Sequence, residues 1–100
     1  MDVFDRRAFR AWLEQRRGQY VGDAVNGYSC PLALWLSERC GMPYMVGMYE
    51  AASLESPVQS LLLPAWARTF VRMLDACYPS TWVAGEQALA VLDEVDEVVR

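Results

Sequence analysis

One hundred residues, 54% of them hydrophobic and 22% charged, are enough for a single globular domain over 1–100 that needs no metal or disulfide staple, and they exclude a wholly disordered chain. The net charge of −4 is the opposite of the basic excess that phosphate binding demands, so no nucleic-acid partner is expected. Every basic residue is arginine, and lysine, histidine and isoleucine are absent, a usage that fits a GC-rich coding genome.

The first predicted element is a helix over 2–17. Phe4, Ala8, Phe9, Trp12 and Leu13 recur at three- and four-residue spacing, Asp2 or Asp5 can cap the start, and Gly18 can end it. Tyr20-Val21-Gly22 reads as a short extended piece, and residues 22–29, with two glycines, an aspartate and an asparagine, as a loop. Ser29-Cys30-Pro31 opens a second helix, near 30–40, with Ser29 as a good N-cap and Pro31 in the tolerant first turn. Gly41 then stands where a left-handed C-cap belongs.

Tyr44–Tyr49 is aromatic and too short for a helix, so it predicts a strand, with the piece around Val21 as its natural partner and Gly47 as a bulge or close approach. Residues 51–59 are weakly patterned and read as a loop, with room for a second short strand near Leu54. Pro64 begins a third helix, near 64–77, on the stripe Trp66, Ala67, Phe70, Met73, Leu74 and Cys77. Arg68, Arg72 and Asp75 lie opposite, at spacings suited to weak surface pairing. A last helix over 85–99 turns Ala88, Leu89, Leu92, Val95 and Val99 inward and Glu86, Asp93, Glu94 and Glu97 outward.

The expected fold class is therefore mainly α: a bundle of about four helices with one or two short strands. Its core is Phe9, Trp12, Leu13, Leu32, Trp35, Leu36, Val46, Trp66, Phe70, Leu74, Leu89, Leu92 and Val95.

The chemistry available is limited. Without histidine, neither a Ser-His-Asp nor a Cys-His site can be assembled from this chain, and three cysteines with no CxxC pair do not make a zinc site. No glycine spacing matches a phosphate loop. No enzymatic activity, cofactor or metal is expected. No signal peptide is expected, and no apolar run comes near the ~20 residues of a membrane span. The expected setting is cytoplasmic, with no membrane partner and with Cys30, Cys40 and Cys77 as thiols.

Three surface readings remain. Cys30, at a helix start, is either a packed small hydrophobe or a thiol activated by the helix dipole for redox or nucleophilic work. Charge is polarised, with Arg6, Arg7, Arg10, Arg16 and Arg17 near the start and Glu86, Asp93, Glu94, Asp96 and Glu97 near the end. That pattern reads as two solvated helix faces packed head to tail, or as an acidic patch of Asp93, Glu94 and Glu97 imitating a phosphate backbone. Finally, Tyr44, Met45, Met48, Tyr49 and Trp82 are an apolar surplus beyond what a small domain buries, to be left exposed as an interface. Trp82 plugs the core or, exposed beside Tyr78, anchors a partner.

Ser29-Cys30-Pro31-Leu32-Ala33-Leu34-Trp35-Leu36, the helix start Leu63-Pro64-Ala65-Trp66 with Phe70, and the ending Ala88-Leu89 to Leu92 resemble a set of small bacterial and phage-type hypothetical proteins. Those proteins share a CPLA-x-aromatic-L segment, an LP-x-W helix start and a short terminal helix. The resemblance implies a compact small domain in a mobile-element context and carries no site residue. Together these readings point to a small regulatory or interaction module that binds a protein partner or forms a homo-oligomer.

Overall fold

The computed structural model describes residues 3–79 and 82–98, and the side chains of 96–98 lie outside the described part, as do Asp2 and Val99. Among the described residues the chain forms helices α1 (Arg6–Glu14), α2 (Pro31–Cys40), α3 (Ala65–Cys77) and α4 (Gly85–Val98). Its strands are β1 (Tyr20–Asp23), β2 (Tyr44–Val46), β3 (Glu50–Ser53), β4 (Ser60–Leu62) and β5 (Trp82–Ala84). The strands make two antiparallel sheets, β1-β5 and β2-β3-β4. The mainly helical bundle expected from periodicity is thus overturned: the fold is mixed α and β. The helices of the expected list are present, but the sheets hold the segments between them.

The helix ends follow from capping. Asp5 accepts hydrogen bonds from the amides of Arg7 (3.0 Å) and Ala8 (3.3 Å), so α1 begins at Arg6 rather than at residue 2. It also ends early, because the chain tightens through Arg16 N–H to Leu13 O and Gln19 N–H to Arg16 O. In α2 the N-cap is Cys30 and not Ser29; Ser29 turns aside to bond Asp23, and Pro31 occupies the first turn. Gly41, at φ 72°, closes α2 in the left-handed conformation expected of it, its N–H bonded to Ser37 O.

The pairing of strands departs most from expectation. The extended piece around Val21 pairs with Trp82–Ala84, across a bulge between Tyr20 and Gly22, and not with residues 44–49. Residues 44–62 instead form their own meander, in which Tyr44 faces Ser53 and Glu50 faces Leu62. Buried Ser53 closes the intervening loop: its Oγ accepts from Gln59 N–H at 2.7 Å and bonds the Glu55 and Pro57 carbonyls. The loop expected at 51–59 therefore begins only after β3.

The core lies between the four helices and the inner faces of the sheets, with α2 packed on β1 and β2 and α4 packed on α1 and α3. Phe9, fully buried, touches the rings of Trp12, Trp35, Trp66 and Phe70 at centroid separations of 6.3, 5.1, 5.8 and 5.1 Å. Leu13, Leu32, Leu36, Leu74, Leu92, Val21 and Val83 complete it. Trp12 and Trp66, expected inside, are only partly buried. For Trp12 the reason is its indole N–H, which donates to Glu38 Oε2 at 3.0 Å and so sits at the protein's edge, with Arg16 stacked 4.6 Å over the ring. Trp82 is no core plug: it is 55% exposed and stacks on Tyr20 at 5.6 Å, not on Tyr78.

Candidate functional site

Cys30 is the residue with the sharpest chemical reading in the sequence, and its surroundings are those of a packed thiol. It is buried at the start of α2, and burial pushes its thiol from 9.0 up to about 11; the amides of Ala33 and Leu32 pull the other way, and the nearby Asp75 carboxylate adds to the rise. The backbone donors at the helix start favour the thiolate but lose to desolvation. All three cysteines are free, Cys40 half-buried and Cys77 exposed.

A pH dependence follows. The folded state holds the Cys30 proton more tightly than the unfolded chain does, so unfolding releases that proton in the window between the two pKa values. Stability should therefore fall as pH rises from about 9 to about 11. The loss is roughly 3 kcal/mol, with Tyr44, raised by burial and by Cys40, acting in the same direction. Urea midpoints measured across this window should show the decline, and Cys30→Ala should flatten it. In a native-state thiol titration near neutral pH, Cys77 should react first and Cys30 only on unfolding.

The acidic end of the chain is partly consumed internally. Arg10 of α1 pairs with Asp93 of α4, and also with Glu14 at 3.9 Å. The polarised termini thus reflect two helices packed side by side, with opposite charges meeting across the seam. Asp93 is not presented as a free carboxylate, Glu94 is exposed, and the side chain of Glu97 lies outside the described part. Among the described residues no three His, Cys, Asp or Glu side chains approach closely enough to hold a metal ion. No helix there is long and apolar enough to cross a membrane.

The aromatic and apolar surplus is distributed unevenly. Tyr44 is withdrawn from the surface, its ring buried on the inner side of β2, and Met45 is half-buried. Met48 and Tyr49, at the tip of the β2–β3 hairpin, are each 67% exposed. The hairpin closes through Gly47 N–H to Glu50 O at 2.8 Å, which leaves the next two side chains outside the ladder. Leu54, Val58 and Leu62 are exposed on the same meander, Leu62 at 81%. The sequence gives no sign of these last three, because their segment lacks a readable period.

A cleft of about 220 Å³ lies between the hairpin tip and α3, lined by Met48, Tyr49, Arg68, Val71, Arg72 and Asp75. An adjoining hollow shares Met48, Val71 and Asp75 and extends to Val25. Asp75 does not pair with the arginines on its own helix, as its spacing suggests. Its Oδ1 accepts the Val25 N–H at 2.8 Å and holds that residue at φ 64°. A β-branched residue in the left-handed region is a strained conformation that its surroundings must impose.

No family model, no curated protein and no solved structure matches this chain.

Proposed function

We propose that this chain is a small, non-enzymatic interaction module of the cytoplasm that acts by binding a partner protein through the β2–β4 meander. One observation carries the reading: Met48, Tyr49, Leu54, Val58 and Leu62 are all large apolar residues left 46–81% exposed within one short stretch of chain. Scattered apolar residues are ordinary on a protein surface, but a run of them concentrated on one sheet and its loops is what a partner covers. Free thiols fit a reducing compartment.

Backbone geometry adds an open edge on the same meander. Leu63 N–H bonds Tyr49 O, and Ser53 N–H bonds Gln59 O, so the odd-numbered residues of β4 bond inward to β3. Ser60 and Leu62 then direct their N–H and C=O groups outward along the free edge of the sheet. An acceptor for a further strand, bordered by apolar side chains, is a recurring recognition surface.

The test is affinity capture from the native host with wild-type protein and with the triple variant Met48→Ser, Tyr49→Ser, Leu62→Ser. A captured protein should be identified by mass, bind the purified wild-type chain directly, and lose at least about tenfold in affinity with the variant. All three side chains are exposed, so the variant should unfold at the wild-type urea concentration. A strictly monomeric chain that captures nothing, or one whose partner ignores the triple variant, would sink the proposal.

A further inference from the structure

The cleft between the hairpin tip and α3 differs from the rest of the apolar surface in its charge. Arg68 and Arg72 stand four residues apart, on adjacent turns of one helix face, and both are exposed. Neither guanidinium makes an ion pair or hydrogen bond with a described residue, whereas Arg10 pairs with Asp93, Arg16 with Glu38 and Arg17 with Glu14. In a chain of net charge −4, acids are in excess, yet the acid that lines this cleft, Asp75, accepts the Val25 N–H and forms no ion pair with either arginine. Two like charges at this spacing repel, and no ion pair with a described residue offsets the cost.

The walls narrow the choice of occupant. At about 220 Å³ the cleft is smaller than the roughly 300–1,000 Å³ of small-molecule sites, so it suits one or two side chains rather than a metabolite. Met48, Tyr49 and Val71 give it an apolar floor, and an unbranched methionine adapts to side chains of different shape. Arginine forks match a carboxylate in two parallel hydrogen bonds. Asp75, on the same wall, together with the chain's net negative charge, disfavours a polyanion such as nucleic acid and favours a single carboxylate.

From this complementarity we infer that the cleft receives a short acidic–apolar segment of the partner protein. A leucine, methionine or aromatic side chain of that segment lies on Met48 and Val71, and an adjacent aspartate or glutamate sits between Arg68 and Arg72. This deepens the interaction reading and rests on it.

The experiment uses the full chain, panned against a displayed library of random dodecapeptides, with the enriched peptides synthesised and their affinity measured by fluorescence anisotropy. Enriched sequences should place Asp or Glu beside a large apolar residue. Their affinity should fall about tenfold or more in the double variant Arg68→Glu, Arg72→Glu, and severalfold in Met48→Ser, and should weaken with added salt. Circular dichroism and urea unfolding of the variants should match wild type, which separates lost binding from lost folding. The inference is overturned if no peptide is enriched, if enriched peptides lack acids, or if they bind the charge-reversed variant equally well. A single-stranded oligonucleotide that competes at the cleft would overturn it too, as would a wild-type dimer that the charge reversal makes monomeric. A native partner that is lost with the Met48/Tyr49/Leu62 variant but indifferent to charge reversal would also reject this inference while leaving the interaction reading intact.

Discussion

Phe9→Ala should destabilise the protein by about 3–5 kcal/mol, the range for removing a fully buried aromatic side chain. Phe9 has no exposed surface, and its ring is the common neighbour of Trp12, Trp35, Trp66 and Phe70, which arrive from three helices. Truncation leaves a cavity bounded by large rings, two of which are held from elsewhere: Trp12 by its bond to Glu38, and Trp35 by Arg39 stacked 5.4 Å from its ring centroid. Such walls cannot collapse into the gap, so the cost belongs at the upper end of the range. Domains of this size are stable by about 5–15 kcal/mol, so the loss is a large fraction of the whole. In urea the midpoint should drop by roughly 2 M with little change in slope. Trp82→Ala is the contrast. Its side chain is larger but exposed and stacked on one ring only, and its removal should cost about 1 kcal/mol. If the two substitutions cost the same, Phe9 is not the hub of the core.

The helices were legible because each is long enough to show a period and carries its own punctuation. Pro31 and Gly41 bracket α2, and Pro64 stands immediately before α3. Of the strands, β1 and the start of β2 were legible, whereas β3, β4, β5 and the pairing were not, and the reason is length. β3 is Glu-Ala-Ala-Ser, with no β-branched residue, and β4 and β5 have three residues each, so alternation cannot be recognised in any of them. These strands exist because of what they pair with, a long-range property absent from local sequence. The misplacement of Trp82 has the same origin: on a three-residue strand one position decides between core and solvent, and only the register opposite Asp23 settles it. At the cleft, Met48 and Tyr49 were readable as apolar surplus and Arg68 with Arg72 as a polar helix stripe. That the hairpin tip folds against that stripe, and that Asp75 is diverted to Val25, depends on tertiary structure alone.

Gly22→Ala should be about as damaging as loss of the central ring, for a different reason. Gly22 lies in β1 opposite Val83, at φ 147°, a conformation that residues with a side chain rarely adopt. Forcing alanine into it costs about 1–3 kcal/mol in backbone strain. Space is the second obstacle. A Cβ there would lie 2.5 Å from Ser29 O, 2.6 Å from Pro31 N and 2.7 Å from Cys30 C, all backbone atoms that no rotamer change can move. The close approach is built in, because the neighbouring Asp23 N–H bonds Ser29 O at 2.8 Å and ties β1 across the start of α2. Relieving the overlap means shifting that crossing, at a further cost of about 1–3 kcal/mol by comparison with overpacked cores. Together the two terms come to about 4 kcal/mol, which for a domain of this length lowers the thermal midpoint by roughly 15 °C or more. Gly18→Ala is the matched control: nothing lies within 4 Å of its added Cβ and its φ is not in the positive region, so its midpoint should stay within a few degrees of wild type. A Gly22→Ala protein that melts with the Gly18→Ala control would mean that β1 does not pass this close to the start of α2, and the packing of the two-stranded sheet against that helix would have to be redrawn.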